Sequence, residues 1–296
     1  MLTKRKYSVE EPVPIRVLFD TGAGSLRPGM NLSGRKALLT GATGGLGRAM
    51  AQSLAERGAV LALSARNREA LEELAAGLPG AGHSVLPADL AEPDAAERLA
   101  AEAAGTEILI ANAGLPGAGK LDDFSAEEVK RALRINLEAP MLLARALYPA
   151  MLEAGSGHLV FVASLSGKAA SPRTSIYNAT KFGLRGFALG LRSDLNPRGV
   201  GVSIVSPGFI REAGMFAEAG AKPPPGMGTS TPEAVGVATA KAIERNKVEV
   251  TVAPLPQRAG AHLASISPAL SVKVQSGSAG QKAAKDIASG HSADKR

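Results

Sequence analysis

Short apolar runs alternate with amphipathic stretches from Arg35 to Val252. Strands buried on both faces of a sheet read as continuous apolar runs, and two parallel strands need a crossover between them that is usually a helix. The alternation therefore predicts an α/β fold, with about seven strands in one parallel, doubly wound sheet and helices on both faces. The predicted strands are 37–40, 59–64, 84–87, 107–111, 158–163, 200–205 and 248–252, and the predicted helices are 44–57, 69–76, 94–103, 125–154, 175–195 and 231–246.

A glycine-rich loop, Thr40-Gly41-Ala42-Thr43-Gly44-Gly45-Leu46-Gly47, lies between the first strand and the first helix. Glycines at 41, 45 and 47 permit a tight turn, a close approach of a pyrophosphate to the backbone, and tight packing of helix on strand. The free N–H groups and the positive dipole end of the helix face the same place. The loop predicts a Rossmann-type dinucleotide site, with a ligand-free glycine turn as the alternative.

Arg66 follows the second strand in Ser64-Ala65-Arg66-Asn67, where a cofactor without a 2′-phosphate usually meets an acidic residue. A guanidinium bonds a phosphate bidentately and stacks on adenine, so Arg66 favours NADP(H) over NAD(H), with Arg48 as a second candidate. The alternative is an arginine at the solvated start of a helix.

Tyr177 and Lys181 are four residues apart on a predicted helix and therefore share one of its faces. A buried cation near a phenol, together with an oxidised nicotinamide, stabilises the phenolate and lowers the pKa of the tyrosine. Such a pair also occurs often by chance.

The composition excludes several other chemistries. The chain has no cysteine, which rules out disulfides, thiolate zinc sites and iron–sulfur clusters, and its four histidines are isolated, so we expect no metal. The net charge of +7 lies mostly in the two ends and aromatic residues are only 3%, which disfavours nucleic-acid binding. No apolar run could span a bilayer and no signal peptide is evident, so we expect a cytoplasmic protein.

These motifs together resemble the short-chain dehydrogenase/reductase family over residues 34–254. The resemblance rests on the TGxxxGxG loop, Asp89-Leu90 after the third strand, Asn112-Ala113-Gly114 after the fourth, and Tyr177 with Lys181. Each motif follows its predicted strand, at the sheet edge where doubly wound folds bind ligands. The glycine spacing is that of the compact dehydrogenase branch, which disfavours an isomerase or lyase of the longer epimerase type.

The resemblance implies a catalytic set. Tyr177 would be the acid–base group, Lys181 would hold the nicotinamide ribose, Ser164 would polarise the carbonyl, and Asn136 would anchor a proton-relay water. Ser166 is a weaker substitute for Ser164. From the residues alone, Ser164 could merely end a strand, and Asn136 could satisfy helix backbone near Pro140, where we expect a kink.

The resemblance also implies a cofactor site built from several loops. Asp89 would accept from the adenine amino group, or simply cap a turn. Asn112 would tie neighbouring strands while Ala113 and Gly114 let the cofactor approach. The implied cofactor-binding residues are Gly41, Thr43, Gly44, Gly45, Leu46, Gly47, Arg66, Asp89, Leu90, Asn112, Ala113, Gly114, Tyr177, Lys181, Pro207, Gly208 and Ile210. One departure follows Pro207-Gly208, because the family's usual threonine is Glu212 here.

We divide the chain into an N-terminal extension (1–34), a dinucleotide-binding and catalytic domain (35–255), its C-terminal segment (256–276) and a disordered tail (277–296). Residues 209–230, which contain Pro223-Pro224-Pro225, form a mobile flap in this interpretation. Apolar residues of the flap (Phe209, Met215, Phe216, Met227) favour an apolar ligand. The overall prediction is an NADP(H)-dependent oxidoreductase of a carbonyl or alcohol, as a homodimer or homotetramer. The alternative is an NADP(H)-binding sensor or scaffold without turnover.

Overall fold

A computed structural model of the chain describes residues 29–277, and most of the predicted N-terminal extension and all but Gly277 of the predicted tail lie outside them. Its centre is a seven-stranded sheet in the order β3-β2-β1-β4-β5-β6-β7, in which every neighbouring pair is parallel. The strands are β1 Lys36–Thr40, β2 Val60–Ser64, β3 Ser84–Val85, β4 Ile108–Ala111, β5 Gly157–Val162, β6 Val200–Pro207 and β7 Glu249–Val252. The predicted doubly wound sheet is confirmed.

Helices cover both faces of the sheet. They are α1 Gly45–Ala55, α2 Arg68–Gly77, α3 Ala95–Glu102, α4 Ala126–Leu133, α5 Ala139–Glu153, α6 Ser175–Leu195, α7 Met215–Glu218, α8 Pro232–Glu244, α9 Leu255–Ile266 and α10 Pro268–Gln275. The helices α9 and α10 were not among the predicted elements. The large apolar side chains of both helices are exposed, so they do not mark one buried helix face in the sequence.

Alternate residues of the central strands pack into two separate cores. Leu39 of β1 lies in a core with α1, α2 and α8, whereas its neighbour Leu38 lies in a core with α3, α5 and α6. This is the consequence of side chains pointing to opposite faces along a strand. The continuous apolar runs in the sequence are therefore explained by two buried faces.

The predicted helix 125–154 is continuous in the structure, but a π-helical turn interrupts its α-helical geometry. Ser125 and Glu128 form the predicted capping box at the start of α4. Between α4 and α5 the turn widens into a π-helix over Arg134–Glu138, just before Pro140. Proline has no N–H to give to the carbonyl of residue i−4, and a widened turn accommodates that loss. The expected kink is thus a π turn centred on Asn136.

The ends of the described chain pack on the domain. Leu32 is buried and Met30 N donates to Ile243 O at the end of α8. At the other end, α9 and α10 follow β7 and lie beside the flap, residues 209–230. Among residues 29–277 no helix is both long enough and apolar enough to cross a membrane.

Candidate active site

A cavity of ≈ 920 Å³ opens at the carboxyl ends of the strands. Every residue predicted to bind the cofactor lines it, from Gly41 in the first loop to Ile210 in the flap. Of the four predicted catalytic residues, Ser164, Tyr177 and Lys181 line the cavity and Asn136 does not. The loops that follow parallel strands meet at one sheet edge, which brings these distant motifs together.

The glycine-rich loop leaves no room for side chains at three of its positions. Gly41 has φ +64°, and a Cβ there would lie 2.9 Å from Ala113 Cα, while a Cβ on Gly47 would lie 2.1 Å from Gly41 O. At Gly45 the neighbour is Ala213 of the flap, 2.2 Å from a Cβ position. Gly44, by contrast, is exposed, and it caps α1 without a side-chain bond. The first turn of α1 holds no acidic residue, so its amides suit an anionic group.

Hydrogen bonds tie the ends of β1 and β4. Asn112 Nδ2 donates to Thr40 O (3.0 Å) and Gly41 O (3.1 Å), and Thr40 Oγ1 accepts from the amides of Asn112 and Ala113. Asp89 Oδ1 accepts from Ala91 N (2.9 Å), which is the turn-capping arrangement. Thr40 is a positioning residue that the sequence analysis did not single out.

Arg66 is exposed at the rim of the cavity, whereas Arg48 is not part of it. Arg48 Nε donates to Thr43 O (3.1 Å), and its side chain lines a smaller outer pocket of ≈ 370 Å³. Glu212 lines the same outer pocket, is exposed and pairs with Arg211 at 2.8 Å. The side chains of Arg48 and Glu212 therefore do not line the large cavity.

Tyr177 and Lys181 lie one turn apart on α6, where Lys181 is buried and Tyr177 is half-buried at the cavity. Lys181 Nζ donates to Val162 O at the end of β5 (2.9 Å) and lies 5.7 Å from the centroid of the Tyr177 ring. Ser164 follows β5, hydrogen-bonds Tyr177, and accepts from Ser166 N at 3.1 Å. The structure thus brings the hydroxyl, the phenol and the ammonium together beside the cavity.

Burial shifts the pKa values of Tyr177 and Lys181 in opposite directions. Burial raises the pKa of Tyr177 to about 12, and the hydrogen bond from Ser164 opposes this rise only in part. Burial also lowers the pKa of Lys181 to about 8. Burial is the largest cause of the Tyr177 shift, and the lowering of the phenol's pKa by Lys181 together with an oxidised nicotinamide stays a prediction. Desolvation disfavours the phenolate more strongly than Ser164 favours it, and Lys181 points to a backbone carbonyl.

Asn136 lies fully buried behind the cavity wall, in the π turn. Its Oδ1 accepts from Leu115 N (2.6 Å) and its Nδ2 donates to Leu115 O (2.9 Å). A Cβ on Gly114 would lie 3.3 Å from Asn136 Oδ1 and 3.8 Å from Lys181 Nζ. The asparagine side chain therefore holds the loop after β4 next to the lysine, rather than satisfying helix backbone near Pro140.

Glu249, Lys168 and Arg185 form a charged cluster next to the segments that carry Ser164 and Tyr177. Glu249 on β7 pairs with Lys168 (3.0 Å) and Arg185 (3.1 Å) and accepts from Ser206 Oγ (2.8 Å). Burial alone would raise the pKa of Glu249, but its bonds to Arg185, Lys168 and Ser206 outweigh burial and lower it. The cluster joins the segment after Ser164, α6 and the end of β6.

The flap and the C-terminal helices form the outer walls of the cavity. The rings of Phe209 and Phe216 stack with centroids 4.6 Å apart. Gln257 of α9 is buried, accepts from Phe209 N (3.0 Å), and donates to Met227 O (3.1 Å) and Gly228 O (2.8 Å). One glutamine therefore fastens both ends of the flap to α9, and no sequence motif signalled it.

The part of the chain that the structure describes contains no group of three or more His, Asp or Glu side chains that could hold a metal ion. Of the histidines, His158 is buried on β5 and bonded to Ser203, and His83 bonds the amide of Leu61. His291 lies outside the described residues.

Comparisons with known proteins agree with this geometry. The family model for short chain dehydrogenases matches residues 35–224. The ketoacyl reductase HetN of Nostoc sp. (strain PCC 7120) is 34% identical over 227 residues, which cover 75% of this chain and 79% of that relative. An uncharacterized oxidoreductase of Staphylococcus aureus (strain USA300) is 34% identical over 186 residues, 62% of this chain and 80% of the relative.

Solved structures show the same architecture. A short-chain dehydrogenase from Sphingobium yanoikuyae in complex with NADPH is 29% identical, with a TM-score of 0.68 over 80% of this chain and 95% of that one. A metagenomic short-chain oxidoreductase in complex with NADP is 31% identical, with a TM-score of 0.63 over 75% of this chain and 98% of that one. On the family match and the shared architecture, the chain belongs to the short-chain dehydrogenase/reductase family.

Proposed function

We propose that this oxidoreductase uses NADPH to reduce a ketone or another carbonyl, and that it also runs the reverse oxidation of the alcohol. The observation that carries the proposal is the placement of Ser164, Tyr177 and Lys181 in one cavity with the glycine-rich loop. Similar structures with bound NADPH or NADP support a nicotinamide cofactor.

The residues present fit such a cofactor. The open N-terminus of α1 at Gly44 would receive the diphosphate, and Arg66 at the cavity rim would pair with a 2′-phosphate. The chain has no acidic residue at 64–67 to hold an unphosphorylated ribose. Ala113 and Gly114 leave the backbone open on the other side. When bound, the nicotinamide supplies or accepts the hydride.

The chain's own residues would handle the proton and the substrate oxygen. Ser164 and Tyr177 would donate hydrogen bonds to the carbonyl oxygen, and Tyr177 would give up its proton as the alcohol forms. A phenol with a pKa of about 12 holds its proton at neutral pH, which suits an acid in the direction of reduction. The buried cation of Lys181, next to Asn136, would stabilise the phenolate that remains.

Titration with NADPH and with NADH, followed by NADPH oxidation against ketones, acyl thioesters and quinones, tests the proposal. We expect tight NADPH binding and turnover of at least one carbonyl. The variant Tyr177→Phe keeps the ring but loses the proton, and we expect it to bind NADPH and to lose at least about 10²-fold in kcat. Full activity in Tyr177→Phe would refute the acid–base role, and NADPH binding without any turnover would favour the sensor or scaffold.

We also propose that the protein is a homodimer or homotetramer in which α5 and α6 meet their counterparts. Met141 on α5 and Phe182 on α6 are exposed, 36% and 44% respectively, which leaves apolar surface for such an interface. Light scattering on the purified protein measures the mass directly. A monomer at every concentration would contradict this proposal.

A further inference from the structure

The C-terminal helices leave an unusual amount of apolar surface beside the cavity. Leu263 of α9 and Leu270 and Val274 of α10 are exposed by 49%, 44% and 67%. All three line the cavity that also contains Ser164 and Tyr177. Large side chains of this type gain free energy when something apolar covers them.

The opposite wall of the same space is mostly apolar, with Glu218 as its charged residue. Met215, Phe216 and Met227 of the flap line the cavity, and Phe216 is stacked on Phe209. Methionine and aromatic side chains adapt well to an apolar ligand. No residue of α9 or α10 that lines the cavity is charged. A charged substrate would therefore find no ionic partner on that wall, whose polar side chains are Gln257, Ser271 and Gln275.

Gln257 of α9 connects the two walls by hydrogen bonds to the flap. Its three hydrogen bonds to Phe209, Met227 and Gly228 set the spacing of the flap from α9. Both α9 and α10 lie beyond residue 224, where the family match ends. The apolar channel is thus formed in part by a segment that the shared family pattern does not include.

We propose that the substrate carbonyl carries an extended, unbranched apolar chain, which lies between the flap and helices α9 and α10. The carbonyl end would reach Ser164 and Tyr177, and the chain would cover Leu263, Leu270 and Val274. This inference rests on the proposed reductase function, because it assigns the substrate of that same site.

Binding of methyl ketones of increasing length tests the inference without turnover. The dissociation constants of 2-butanone, 2-hexanone, 2-octanone and 2-decanone are measured by calorimetry with NADP⁺ present, a complex in which no hydride is available. We expect affinity to rise about two- to fourfold for each added methylene, the factor that burial of one CH₂ group supplies. Equal affinities along the series would overturn the inference.

Two variants locate the chain in the channel. Leu263→Gln and Leu270→Gln change exposed residues, so the core stays intact, and we expect each to weaken 2-decanone binding about fivefold or more relative to 2-butanone binding. Ile266→Gln is the control, because Ile266 is on α9, is 70% exposed and does not line the cavity. Ile266→Gln should keep the wild-type dependence on length, and an equal effect of all three variants would overturn the inference.

The same experiment separates the two proposals. If NADP⁺ itself does not bind, the proposed function fails. If NADP⁺ binds and short ketones are reduced with NADPH, but affinity does not depend on chain length, the function stands and only the apolar channel is refuted.

Discussion

The hydrogen bonds of Gln257 allow a quantitative test of how the flap is held. In Gln257→Met the side chain keeps its length and loses all three bonds, which leaves Phe209 N without an acceptor and the carbonyls of Met227 and Gly228 without donors. At roughly 1 kcal/mol for each bond, the flap loses about 3 kcal/mol of local stability. An amide that is released by local opening then exchanges about 10²-fold faster.

Hydrogen exchange at the amide of Phe209 measures this loss directly. Gln275→Met is the matched control, because Gln275 lines the same cavity but bonds only Ser271 within its own helix. Amides of β5, such as that of Val160, should exchange as in the wild type, which separates local release from general unfolding. An unchanged exchange rate at Phe209 in Gln257→Met would refute the conclusion that this glutamine fastens the flap.

Three further predictions follow from single side chains. Arg66→Ala should raise the Michaelis constant for NADPH about 10- to 100-fold and that for NADH little, because only NADPH carries the 2′-phosphate that the guanidinium would bind. Arg48→Ala, in the other pocket, is the control, and equal effects of Arg66→Ala on both cofactors would contradict the assignment. Glu249→Gln removes the counter-charge of Lys168 and Arg185, which are half-buried, and should lower the free energy of unfolding by about 2–4 kcal/mol. Urea titration measures this free energy, and an unchanged value would show that the charged cluster does not stabilise the fold. His158 has a pKa lowered to about 3 by burial and by the nearby Arg192, while the unfolded chain takes up that proton near pH 6.5. Its contribution to stability is therefore complete above pH 6.5 and is lost by about 1.4 kcal/mol per pH unit as the pH falls towards 3, so His158→Gln should flatten this dependence and His262→Gln, on the surface, should not.

Local patterns predicted the central strands well because β1, β4, β5 and β6 are buried on both faces. The run Val200–Val205 is apolar almost throughout, and β6 contains it, extending to Pro207. The capping box at Ser125 and the N-cap at Thr231 were equally legible, since each depends on residues three positions apart. The bounds of helix 175–195 were predicted exactly, because its buried residues repeat with the helical period along one face.

The site residues were also largely readable from the sequence. Gly41 and Ser164 belong to short motifs directly after a strand, and Tyr177 and Lys181 are one turn apart on α6. The parallel sheet brings these motifs to one edge, where all four residues line the cavity. Their roles in catalysis and binding remain predictions, which the experiments above test.

What the sequence alone determined is the order of elements, the two-sided sheet and the motifs at the strand ends, because these depend on neighbours within a few residues. Only the tertiary structure decided the burial of individual side chains and the contacts between segments that are far apart in the sequence. In the folded chain Glu212 lines the smaller outer pocket, and burial raises the pKa of Tyr177. Gln257 joins α9 to the flap by a hydrogen bond to Phe209, 48 residues away. Desolvation and contacts between distant segments arise only when the chain is packed, so no local pattern carries them.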